Sequence, residues 1–199
     1  MSIRSVEVKS LMPTQIAVGF KLVKAKRKGL RALLKQPSEL VEFILEHPIR
    51  VIMGPKGLFH VIDHHHLAHA LLDEGFETAP VDVQHDLSKN TQRGFWLEME
   101  KRNWVYPYDS DGKKRSISAI PKKIWDMEDD PFRSLAGFVR REGGFSKTMT
   151  PYVEFKWAQF LRAHIPAKLA KKNFSKALKQ AKALATSTAA KDLPGFVKK

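Results

Sequence analysis

Phe59-His60-Val61-Ile62-Asp63-His64-His65-His66-Leu67-Ala68-His69-Ala70-Leu71-Leu72 is the stretch whose reading sets the fold. An apolar, β-branched run (Phe59, Val61, Ile62) ends in an acid. Four of the eight histidines then fall within six residues, while Leu67, Ala70, Leu71 and Leu72 continue at helical spacing. The pattern predicts a strand, a polar turn and a helix N-terminus. Backbone N–H groups and the positive end of the helix dipole meet at such a turn, which favours an anion such as phosphate. Histidine adds hydrogen-bond donors and a group that titrates near neutral pH.

Working outward, Arg50–Met53 and Leu58–Ile62 read as two strands of a hairpin around Gly54-Pro55-Lys56-Gly57. Ser38 is the predicted N-cap of an apolar helix that Pro48 ends. Lys21–Lys35 is a basic helix with seven Lys or Arg and no acid. Residues 3–12 read as a first strand ending at Pro13, and residues 13–20 as a loop. Downstream, the histidine-led helix runs to about Asp73 with Gly75 as its C-cap. Val81 and Val83 mark a further strand, residues 90–102 a helix, and Asp109-Ser110-Asp111-Gly112 a loop or hairpin. Asp130-Pro131 starts a helix that ends at Gly143-Gly144. Two more helices are expected, over Pro151–His164 and from Pro166 through Leu184. The fold class is therefore α/β (α+β): a small mixed sheet with helices over residues 1–90, a connecting helix and loop over 91–119, a mainly helical C-terminal part over 120–185 and a frayed basic tail over 186–199.

Charge narrows the partners. Thirty-five Lys and Arg face 21 Asp and Glu, a net +14, which favours nucleic acid or a nucleotide. The final 34 residues hold nine Lys and one acid, Asp192. The chain has no cysteine, which excludes disulfides, thiolate metal sites and thiol catalysis. No apolar run reaches the roughly 18–20 residues of a membrane span, and the N-terminus lacks the apolar core of a secretory signal. The expected location is cytoplasmic.

Four stretches carry a family resemblance: Leu11-Met12-Pro13-Thr14-Gln15-Ile16-Ala17-Val18-Gly19, His60 to Ala68, Asp129-Asp130-Pro131-Phe132-Arg133-Ser134-Leu135-Ala136, and Glu154-Phe155-Lys156-Trp157-Ala158. Together they resemble the ParB-like nuclease branch of the ParB/sulfiredoxin fold. The resemblance implies a small mixed α/β domain with a phosphate-binding strand-to-helix turn. Where the wider superfamily has Asp-Gly, then Glu or His, then His or Arg, then Arg, this chain has Asp63, His64, His65, His66 and Leu67. His64 stands in the glycine position and Leu67 in the arginine position, which removes a bidentate phosphate clamp. Sulfiredoxin chemistry is excluded because it needs a cysteine.

The candidate catalytic residues are Asp63, His65 and His66: the imidazoles to stabilise the phosphate, the carboxylate to position water, a metal ion or a histidine. Thr14, Gln15, His64 and His69 are phosphate-binding candidates, Thr14 and Gln15 because the resembled fold brings their loop to the turn. His65 and His69 are four apart and share a helix face, so Asp63, His65 and His69 are candidate metal ligands. The bland alternative is that these histidines only cap the helix and bond the core. Lys24, Lys26, Arg27, Lys28, Arg31, Arg140 and Arg141 are candidate nucleic-acid contacts, against a plainly solvated helix face. Trp96, Trp104, Trp125 and Trp157 are expected in the core, and Arg133, Glu154 and Lys156 in an ion pair between helices. The expected function is a nucleic-acid-associated phosphoester hydrolase, a nuclease, with a divalent metal ion or a nucleoside triphosphate as possible cofactor. The alternatives are a nucleotide-dependent phosphotransferase on a small hydroxyl compound, and a non-catalytic DNA-binding or scaffolding module.

Overall fold

Alternation along Ile49-Arg50-Val51-Ile52-Met53 sends side chains to both faces of a strand; Ile49, Val51 and Ile52 are buried while Arg50 is exposed. In the computed structural model, which describes residues 2–198, this strand (β3, Ile49–Met53) lies inside a four-stranded sheet. The others are β1 (Ser2–Glu7), β4 (Phe59–Val61) and β5 (Thr78–Asp86), in the order β1-β5-β3-β4. β1 and β5 run antiparallel, β5 and β3 parallel, and β3 and β4 antiparallel. The sheet is therefore mixed. Two-residue strands β2 (Ala17–Val18) and β6 (Glu128–Asp129) lie outside it. The backbone divides into two compact units. One comprises residues up to Val18 with Val23–Glu128; the other comprises Gly19–Leu22 with residues from Asp129 onward.

In the first unit, Ile49, Val51, Val61 and Val81 form one core with Leu67 and Leu71 of helix α3 (His65–Asp73). Ile52 points the other way, into a second cluster with Phe95 and Met99 of α4 (Gln92–Lys101). Helices α1 (Phe20–Leu33) and α2 (Pro37–Glu46) fall between β2 and β3 in the chain. The β3–β4 connection forms at the expected Gly54–Gly57, with Lys56 at φ 62° and Gly57 at φ 71°. Three expectations change here. The first strand stops at Glu7, because Val8 turns into the core at the start of a 3-10 turn, Val8–Ser10. The second helix starts at Pro37, so Ser38 lies within its first turn rather than capping it. The 91–119 segment packs within the first unit, through Phe95, Met99 and Val105. Thr91 caps α4 by accepting the Gly94 N–H at 3.1 Å. Thr91→Ala is expected to cost about 1 kcal/mol, read as a lower denaturant midpoint with an unchanged slope.

The second unit is helical: α5 (Pro131–Arg141), α6 (Val153–His164), α7 (Ala167–Lys172) and α8 (Phe174–Ala185). Asp130 caps α5, accepting the Phe132 N–H at 2.9 Å. Trp157 is fully buried and stacks on Phe145 at 4.3 Å. The single helix expected from Pro166 is two helices. Asn173 breaks it at φ −137°, and its side chain caps α8 by accepting the Lys176 N–H. The tail is not frayed: Ala190 is buried, Trp157 Nε1–H donates to the Pro194 carbonyl at 2.9 Å, and Phe145 bridges Phe196. Among the tryptophans, Trp125 is 48% exposed beneath Lys123 rather than in the core. Glu154 pairs with Arg140 at 2.8 Å, and Lys156 is exposed; Arg133 instead lies over the Phe155 ring at 3.3 Å. No helix among the described residues is long and apolar enough to cross a membrane.

Candidate active site

Ile62 N–H donates to the Arg50 carbonyl and closes the strand end, and the chain then reverses in one residue. His64 makes that reversal in the left-handed region, at φ 67° and ψ 26°, and serves as N-cap of α3. This is the position where the resembled motif has glycine, and positive φ is the physical reason for one. Histidine is among the non-glycine residues that tolerate this region; a β-branched residue is not. His64→Val is therefore expected to lower stability by about 1–3 kcal/mol, measured as a fall in melting temperature. Asp63 folds back on the turn, its Oδ1 accepting the His64 N–H at 2.7 Å while the residue stays exposed.

The four histidines separate. His64 is half-buried, and its Nδ1 meets the Pro48 carbonyl at 3.1 Å. Burial holds its pKa below the ordinary value, and the nearby Lys26 and His47 push the same way against Asp63. The His47 ring is 6.4 Å from the His64 ring. His65 is 3% exposed, and its Nε2 accepts the Thr14 N–H at 3.3 Å. An accepting Nε2 places the ring proton on Nδ1. The Thr14 hydroxyl donates to the Val61 carbonyl at 2.6 Å, and the Tyr106 N–H donates to the Thr14 carbonyl. His65 thus pins the Thr14 loop from below. His66 is half-buried in the first turn of α3. His69 is buried, with Nδ1 3.3 Å from Asp73 Oδ1.

Several expectations are corrected by this geometry. Thr14 directs its hydroxyl inward, and Gln15 is buried with Oε1 lacking a hydrogen-bond partner. Neither side chain points to an exposed anion site. His65 and His69 do share a helix face, but it is the buried one. Asp63, His65 and His69 do not converge: among the described residues no group of three or more His, Asp or Glu is placed to hold a metal ion. Of the candidate nucleic-acid contacts, Arg27 pairs with Asp73 at 3.2 Å and with Glu74 at 2.6 Å, Arg31 with Glu74 at 2.6 Å, and Arg140 with Glu154. Lys24, Lys28 and Arg141 are exposed. Lys26 and His47, which both act electrostatically on His64, cannot be found from the turn sequence alone. Their distance in sequence gives no cue, although Pro48 beside His47 marks the end of α2.

Two of the resembling stretches prove to be scaffolding in the second unit. Asp129 Oδ1 accepts the Phe20 N–H at 2.8 Å and Ser134 Oγ the Lys21 N–H at 3.2 Å, so both satisfy the first turn of α1. A Cβ on Gly19 would sit 2.6 Å from the Ser134 backbone N, which is why that position must be glycine. Asp130 accepts from Arg162 at 2.6 Å. A cleft of about 340 Å³ in the first unit is lined by Asp109, Asp111 and Glu128, with Arg115 paired to Asp109 at 2.6 Å. Its carboxylates oppose an anionic ligand.

A small mixed sheet that delivers an acid and an αL histidine to a helix start, with a helical unit after it, defines a class of protein, and the sequence places the chain within one. The chain belongs to the family described as "Putative ParB-like nuclease", whose profile matches residues 4–163. It is similar to protein Atu1540 from Agrobacterium tumefaciens. That crystal structure is 41% identical and superposes with a TM-score of 0.89 over 99% of this chain and 98% of that one. A C-terminally truncated chromosome-partitioning protein ParB from Caulobacter crescentus, crystallised with CTP-γ-S, is 13% identical over 95% and 94% of the two chains; its TM-score of 0.31 is too low to carry structure across. No curated protein matches the chain.

Proposed function

We propose that the chain is a nucleic-acid-associated phosphoester hydrolase of the nuclease type, acting at the turn that opens α3. One observation carries this reading: the αL turn at His64 leaves the Asp63 carboxylate exposed and puts the half-buried His66 in the first turn of the helix. A phosphodiester seated there meets the positive end of the helix dipole. Lys26, close enough to His64 to lower its pKa, adds positive charge at the turn. His66 donates to a phosphate or leaving-group oxygen, and Asp63 orients and deprotonates the attacking water. His65 is a positioning residue that holds the Thr14 loop beneath the turn. Among the described residues no group of three or more His, Asp or Glu is placed to hold a metal ion.

The test is cleavage of labelled single- and double-stranded DNA and RNA by highly purified protein, alone and with Mg²⁺, Mn²⁺ or Zn²⁺. Cleavage that is lost in Asp63→Asn and in His66→Ala supports the reading. Cleavage equal to wild type in both variants, or none on any substrate, ends it. Saturable binding of a nucleoside triphosphate without cleavage would favour the phosphotransferase reading instead.

A further inference from the structure

Nine lysines and a single acid, Asp192, fall in the final 34 residues. Pro166 to Lys191 contains no Asp or Glu. The structure gives this segment two short helices. In α8 the small residues Ala177, Ala181 and Ala185 are fully buried at i, i+4 and i+8. With that face in the core, Lys176 and Lys179, three apart, are left exposed on the other side. In α7, Ala170 is buried while Lys168, Lys171 and Lys172 are exposed at i, i+3 and i+4. None of these five lysines has a carboxylate partner among the described residues. Lys182, also on α8, is held by Glu142 at 2.5 Å and is left out of the set, as are Arg27 and Arg31, held by Asp73 and Glu74, and Arg140, held by Glu154.

We infer that the outer face of α7 and α8, presented by Lys168, Lys171, Lys172, Lys176 and Lys179, is a sequence-independent surface for the phosphate backbone of nucleic acid. Lysine ammonium groups act as point charges and carry no base-reading geometry. A membrane surface would ask for a free apolar face beside the lysines. Here that face belongs to the core of the second unit, where Phe174, Leu178 and Leu184 also pack. This inference refines the nucleic-acid part of the proposed function. It reads binding rather than cleavage, so the two can fail separately.

The experiment is fluorescence anisotropy of a labelled DNA duplex with the full chain between about 50 and about 200 mM salt. Five neutralised phosphates contribute a slope of about −4.5 to log K against log salt. Changing all five lysines to Gln is expected to weaken binding at least tenfold at low salt and to flatten the slope by about 4. The same five changed to Arg should restore both, which separates charge from packing. An equally charged comparator, with Lys56, Lys89, Lys101, Lys114 and Lys122 changed to Gln, should keep most of the slope. Equal losses in the two Gln variants, an unchanged slope in the α7–α8 variant, or no duplex binding by wild type would each overturn the inference. So would binding to anionic lipid vesicles with none to the duplex. Duplex binding without cleavage leaves it standing and counts against hydrolysis.

Discussion

Replacing His66 with Ala is expected to slow phosphodiester cleavage by about 10²–10⁴-fold, the usual worth of a positioned general acid or base. Asp63→Asn should fall in the same range. The substitution keeps the amide oxygen as an acceptor for the His64 N–H, so the turn survives while the negative charge is lost. Because the two groups are assigned to the same step, the double variant should be far less impaired than the product of the single effects. Stability separates this from the structural alternative. Asp63 is exposed and His66 half-buried, so both variants should melt close to wild type, within about 0.5 kcal/mol. His65→Ala should behave otherwise. It removes the acceptor of the Thr14 N–H beneath the surface and should lower stability and activity together. Full activity in His66→Ala would remove the imidazole from the mechanism.

Acid should destabilise the protein through His60, a residue outside the proposed chemistry. His60 is 2% exposed, wedged beside Phe95 and Trp96 at ring distances of 4.5 and 5.4 Å, and its Nδ1 has no hydrogen-bond partner. Burial lowers its pKa from 6.5 to about 4. A depressed pKa means the native state favours the neutral ring. The contribution is therefore fully present above pH 6.5, and it is lost as the pH falls from there through about 4. The full difference is on the order of 3 kcal/mol. Denaturant unfolding of wild type and His60→Leu at about pH 7 and about pH 4.5 isolates it, since all other groups titrate alike in both proteins. The pH-dependent loss should be smaller in His60→Leu by about 2 kcal/mol. Equal losses would show that His60 does not set the acid limit.

What the sequence made legible was local. The Gly54–Gly57 connection, the Asp130 cap, Gly75 at φ 77° after α3 and the strand-to-helix turn at Asp63-His64 each depend on residues close in the chain. The pairings that redirect the candidate residues are not local. Arg27 and Arg31 meet Glu74 across more than 40 positions, and Thr14 reaches His65 across 51. Nothing in a helical spacing distinguishes an arginine held by a distant carboxylate from one facing solvent. The same limit applies to the histidines. Periodicity put His65 and His69 on one face of α3, but only the packing of Leu67 and Leu71 against the sheet decides that this face is buried. The break at Asn173 was hidden because the apolar stripe continues through it; the capping bond from Lys176 N–H is the one local sign. The Thr and Ala content of the tail predicts fraying, yet the Trp157 bond to the Pro194 carbonyl ties it to the second core.

A phosphodiester handled at the turn opening α3, by Asp63 and His66, must perturb the imidazoles around it. The most direct measurement is nuclear magnetic resonance of the imidazole ¹⁵N signals during titration with a short oligonucleotide, each histidine assigned by substitution. The His64 and His66 rings are expected to shift with a common saturation curve while His60 and His164 stay still. Saturating binding that leaves His64 and His66 unmoved would contradict it.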